Sequence, residues 1–96
     1  MDIVILDFRI LAGDKPLKAF VDVRLGDITM RDFRVMQDQG KPYIKVPFVT
    51  YKDKKGEIRF RPIIELPATV RGQVETVILS EYYSRMAEVE RGQGSR

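Results

Sequence analysis

Up to Pro67 the apolar residues of this chain recur at every second position, and beyond it they recur at every third or fourth. Side chains two apart share one face of a strand, whereas side chains three or four apart share one face of a helix. The change of period therefore dictates strands first and a single helix last. Val4, Leu6, Phe8 and Ile10 alternate with Ile3, Ile5, Asp7 and Arg9, which predicts a first strand with the even-numbered set turned to the core. Gly13-Asp14-Lys15-Pro16 is a turn. Leu17, Ala19, Val21, Val23 and Leu25 then share one face of a second strand, with Lys18, Asp22 and Arg24 on the other. Gly26-Asp27 is short enough to close a hairpin onto Ile28 and Met30.

The phase slips at Arg31-Asp32, because Ile28 and Met30 are even positions and Phe33 and Val35 odd ones. One extra residue of this kind reads as a β-bulge with a local ion pair, or as a break between two short strands. Asp38-Gln39-Gly40-Lys41-Pro42 forms the next turn, and Tyr43 to Val46 a short strand. Pro47 has no N–H to give to a ladder, so the chain must lie at an edge or bend there. Asp53-Lys54-Lys55-Gly56 is a loop. Ile58, Phe60 and Ile64 alternate with Arg59, Arg61 and Glu65 on a fifth strand, which Pro62 interrupts.

Val70, Val74, Val77, Ile78, Tyr82 and Met86 place an amphipathic helix from about Thr69 to Glu88. Thr69 suits its N-cap, Glu81 and Arg85 form a pair four residues apart, and Gly72 suggests close backbone packing. The expected fold class is α+β: an antiparallel meander of about five strands followed by one C-terminal amphipathic helix. A single domain is expected over residues 1–90, with a disordered tail at 91–96. Ile3, Ile5, Phe20 and Ile63 fall off-phase from this core, so the second sheet face also needs a cover. A second copy of the chain is the economical one.

The chain has 96 residues and contains neither cysteine nor histidine. Thiolate chemistry and disulfides are thereby excluded, as are the commonest general acid-base group and the commonest metal ligand. No nucleophile motif or phosphate loop appears among the remaining residues. The expectation is a protein that is not an enzyme, with no cofactor, no metal and no small-molecule substrate. No apolar run approaches the ~20 residues that cross a bilayer. Asp2 leads straight into Ile3-Val4-Ile5-Leu6 without a basic stretch, so a cytoplasmic location and no membrane partner are expected.

Lys41, Lys45, Lys52, Lys54, Lys55, Arg59 and Arg61 face only Asp53 and Glu57 across the same stretch, a local surplus of +5 against +3 for the whole chain. A positive field concentrated on one sheet face attracts phosphate backbones by releasing counterions. The candidate nucleic-acid contacts are Lys45, Lys52, Lys54, Lys55, Arg59, Arg61 and Arg71. Arg59 and Arg61 share a strand face about 7 Å apart, and an arginine fork suits phosphate. Lys52, Lys54 and Lys55 also have a plainer role as loop-solubilising charges. Arg71 has one as the partner of Glu75, which is the slightly favoured reading. Tyr43, Phe48 and Tyr51 flank the cations and are placed to stack on bases, although core or dimer packing is the commoner fate of such rings.

Leu17-Lys18-Ala19-Phe20, Arg31-Asp32-Phe33-Arg34-Val35-Met36, Gly56-Glu57-Ile58-Arg59, and Arg71-Gly72-Gln73-Val74 through Ile78-Leu79-Ser80-Glu81-Tyr82 follow one another in order. In that order and spacing, from Ile3 to Tyr83, the chain resembles the SpoVG (septation protein) family of bacteria. The resemblance implies a small α+β fold, a homodimer, and DNA or RNA binding tied to the regulation of septation, cell division, sporulation or virulence genes. Where that family reads Met-Pro-Ser-Lys, this chain reads Val46-Pro47-Phe48-Val49. That apolar exchange motivates the alternative of a protein-interaction adaptor using a sheet edge or helix face.

Overall fold

In the computed structural model, which describes residues 2–94, six strands precede one helix. They are β1 (Ile3–Ile10), β2 (Leu17–Leu25), β3 (Ile28–Met36), β4 (Tyr43–Lys45), β5 (Phe48–Lys52), β6 (Ile58–Pro62) and α1 (Ala68–Gly94). The class is α+β, as the change of period requires. The strands form an antiparallel four-stranded meander, β1-β2-β3-β4, and a separate two-stranded ribbon, β5-β6, in place of one five-stranded sheet. Pro47 makes the division. It is buried at the bend between β4 and β5, and its carbonyl accepts a hydrogen bond from Ile63 N at 2.9 Å.

The core is one layer deep, between the meander and α1. Ala19, Val21, Val23 and Leu25 of β2 are buried with Phe33 and Val35 of β3, Ile44 of β4, and Val74, Ile78 and Tyr82 of α1. Three helical residues at spacings of four make one stripe, and Tyr82 stacks on Phe8 of β1 with ring centroids 6.4 Å apart. Tyr83, next in sequence, is exposed. Gly26 turns the β2-β3 hairpin at a φ of 58°, in the first central position that a type II′ turn reserves for glycine.

Two bulges flank Asp22 on β2, one in each neighbouring strand. In β3, Val21 faces Phe33 and Val23 faces Met30, so Arg31 and Asp32 together oppose Asp22. The phase slip at these residues is therefore a bulge and not a break, and Asp32 takes a φ of 68° to make it. In β1, Ile5 faces Val23 and Asp7 faces Asp22, which leaves Leu6 as the extra residue. The expected even-numbered core face of β1 is corrected by this bulge. Ile3 and Ile5 pack against the core while Val4 and Leu6 are exposed, and Phe8 returns to the core beyond the extra residue.

The helix begins earlier and runs on further than its apolar stripe. Arg71 N donates to Pro67 O at 2.8 Å, so the capping position is Pro67, and Thr69 lies inside the first turn. Gly72 is exposed, with nothing within 4 Å of where a Cβ would stand, so close packing does not explain it. The backbone is helical to Gly94, which overlaps the tail expected at 91–96, and residues 95 and 96 lie outside the described residues. The molecule extends 54 × 34 × 21 Å with a radius of gyration of 15.2 Å. A compact chain of this length would have a radius near ~12.5 Å. The elongation goes with a 27-residue helix, about 40 Å long at its regular rise, and a ribbon whose β6 is exposed throughout.

Candidate nucleic-acid interface

The register of the ribbon sorts the candidate residues onto two faces. Val49 faces Arg61 and Tyr51 faces Arg59, so these four side chains share one face. Phe48 with Pro62, Thr50 with Phe60 and Lys52 with Ile58 form the other. Lys54 and Lys55 stand in the turn at the tip. Lys45, at the end of β4, holds its Nζ 5.6 Å from the centroid of Phe48 and 5.9 Å from that of Phe60. Arg71 lines the same pocket as Lys45, Phe48 and Phe60. The expected convergence of all seven cations is thus corrected. Lys45 and Arg71 meet beside one ribbon face, while Arg59 and Arg61 point from the other.

Two of the seven are already engaged. Arg59 Nε donates to Asp53 at 2.9 Å and its terminal nitrogen to Glu57 at 3.4 Å, across the turn that joins β5 to β6. Asp53 organises that turn further by accepting from Lys55 N and Glu57 N, each at 2.9 Å. The Arg59 hydrogen bond, helped by these backbone donors, holds the Asp53 carboxyl below its ordinary range. Arg71 Nε donates to Glu75 at 3.0 Å, the pairing that its spacing favoured. Lys45, Lys52, Lys54, Lys55 and Arg61 make no ion pair among the described residues. Arg61 lies 5.2 Å over the Tyr51 ring.

The sheet face turned away from α1 carries a cationic row that sequence reasoning missed. Arg9, Phe20, Arg34 and Lys45 are cross-strand neighbours on β1, β2, β3 and β4. Arg34 sits 5.5 Å from the Phe20 ring and 3.8 Å from that of Phe48, so its guanidinium bridges the meander and the ribbon. Among the described residues its buried Nε has no hydrogen-bond partner, and stacking on the two rings works against that cost. Alternation placed Arg34 opposite Phe33 and Val35. Its meeting with Phe48 depends on the bend at Pro47, which alternation does not show.

Arg9, at the far end of the row, is consumed by acids. It donates to Asp7, to Asp22 at 3.2 Å and to Asp32 at 3.0 Å. Asp22 also accepts from Arg31 at 3.1 Å and from Asp32 N at 3.0 Å, so the bulge residues bond to Asp22 and Arg9 instead of to each other. Burial pushes the Asp22 carboxyl up, but the hydrogen bonds from Arg9, Asp32 N and Arg31 outweigh it and hold the group below its ordinary range. Within this row the unpaired positive charge therefore lies toward β4 and the ribbon. Among the described residues, no helix is long and apolar enough to cross a membrane. No family model and no curated protein matches this chain.

Proposed function

We propose that the chain is a non-catalytic, cytoplasmic, homodimeric nucleic-acid-binding regulator of the SpoVG type, gripping phosphates with Lys45, Lys52, Lys54, Lys55 and Arg61. One observation carries the reading. The two acids of the 41–61 segment are both taken up by Arg59, which leaves the other cations of a projecting ribbon free to meet an external polyanion. Arg59 builds the turn and is not a contact. Arg34 supplies the joint between ribbon and sheet, and Arg71 adds charge only as far as Glu75 allows. The order of the sequence motifs supports the same class of partner. Recognition works through the backbone, with sequence preference weak or set by shape.

Filter binding over a salt series tests this. Each phosphate contact contributes about 0.7–0.9 to the slope of log affinity against log salt. Replacing Lys52, Lys54 and Lys55 by Ala is expected to lower that slope by roughly 2 units, while Arg59→Ala, which releases Asp53 and Glu57 beside these lysines, should weaken binding with a smaller change of slope. Unaltered affinity and slope in the triple variant would overturn the assignment. Ile58, Phe60 and Ile63, each more than 60% exposed, favour a second reading as a protein-interaction adaptor. Recovery of a stoichiometric protein partner after nuclease treatment, with no retained nucleic acid, would select it.

A further inference from the structure

Where the ribbon meets the start of α1 there is an open pocket of about 180 Å³, lined by Lys45, Val46, Phe48, Phe60, Pro62 and Arg71. Its chemistry is narrow: two aromatic rings, two aliphatic surfaces and two cations, with no acid among the lining residues. Phe48 and Phe60 meet edge to face, with centroids 5.3 Å apart and planes at 70°. The two rings are not equally available. Arg34 lies 3.8 Å over Phe48, whereas Phe60 is 64% exposed.

We propose that this pocket takes one unpaired base of a single-stranded nucleic acid, stacked on Phe60, with the adjoining phosphate at Lys45. The proposal rests on the nucleic-acid reading above and deepens it by fixing the strand form and the base contact. Drug-sized ligands occupy pockets of about 300–1,000 Å³, so this one holds a single ring system and not a whole cofactor. Every base has a π-face, so stacking on a ring is tolerant of sequence and suits a backbone reader. In a duplex those faces are covered by neighbouring base pairs, and a base reaches such a pocket only after leaving the stack. An apolar side chain of a protein partner could fill the volume but brings no counter-charge to Lys45. A nucleotide brings the ring and the phosphate together.

The test is fluorescence anisotropy with the full chain and three labelled probes of equal length: single-stranded oligothymidine, a duplex, and an abasic strand. The single strand is expected to bind most tightly. Phe60→Leu keeps apolar volume but removes the π-face, and should weaken single-strand binding by about tenfold while leaving the duplex and abasic probes unchanged. Phe60→Tyr should restore it, and Lys45→Ala should weaken all three. Because Phe60 is exposed, these variants are expected to keep the fold, which circular dichroism checks. Equal affinity for single-stranded and abasic probes, or indifference of the single strand to Phe60→Leu, overturns the base pocket but leaves phosphate binding standing. Failure of every probe to bind removes both. A change of oligomeric state on Phe60→Leu assigns the pocket to a second copy of the chain and also overturns the proposal.

Discussion

Asp22 is buried on β2 yet ionised, because Arg9, Arg31 and the Asp32 amide all point hydrogens at its two oxygens. The two bulges around it are the geometric means: each adds a residue to a neighbouring strand and so re-aims the donors onto one carboxylate. Since the folded carboxyl titrates below the ordinary value of about 3.9, its contribution to stability is fully present above that value. The contribution is lost as pH falls through the lower, folded value. Asp22→Asn should remove that part of the acid-unfolding curve followed by circular dichroism. Asp22→Ala is expected to cost about 2–3 kcal/mol in urea unfolding, less than the ~3–5 kcal/mol of a fully buried pair because solvent reaches both arginines. Gly72 presents the opposite case. It is helical, exposed and unobstructed, so Gly72→Ala should stabilise by about 0.5–1 kcal/mol and raise Tm by a few degrees in a thermal scan.

A two-stranded ribbon is marginal by itself in water, so β5-β6 depends on what anchors it. Arg34 is that anchor, through Phe48 on one side and Phe20 on the other. Arg34→Ala is expected to loosen the ribbon by about 1–2 kcal/mol. This should appear as a roughly tenfold rise in amide exchange confined to β5 and β6, with β2 and β3 unaffected. The reasons these elements were or were not legible in the sequence are physical. β2 was readable because its core face, Ala19 to Leu25, keeps one period throughout, and the helical stripe through Val74, Ile78 and Tyr82 was readable likewise. β1 was misphased because the extra residue at Leu6 is set by pairing to Asp22, a tertiary demand that leaves no mark on β1 itself. The cationic cluster was visible as composition. Its partial cancellation was not, because Asp53 and Arg59 meet only once the turn closes. Arg34 looked like an ordinary outward strand residue until Pro47 folded Phe48 back over it.

The proposed homodimer is a question for the molecule as a whole, because no single element explains the apolar surface left uncovered. Correcting β1 moves Ile3 and Ile5 into the core, so the large apolar residues left exposed along β1 are Val4, Leu6 and Ile10, with Ile28 at the hairpin end of the same sheet and a second exposed group, Ile58, Phe60 and Ile63, at the ribbon. β1 is an edge strand of eight residues with its outer backbone groups unpaired. Edges of that length invite pairing with another chain unless covered. A second copy docked there would bury Val4 and Leu6 while leaving both ribbons pointing outward. Sedimentation equilibrium is expected to show a dimer, and Leu6→Glu to shift it to monomer by placing a charge in the seam. If two ribbons act together on one strand, that variant should also lose apparent affinity for long nucleic acid, since avidity rests on simultaneous engagement. Its affinity for a probe too short to reach both ribbons should be unchanged. A monomeric wild type at all concentrations, or a dimer indifferent to Leu6→Glu, would remove β1 as the seam and return the uncovered apolar surface to the ribbon.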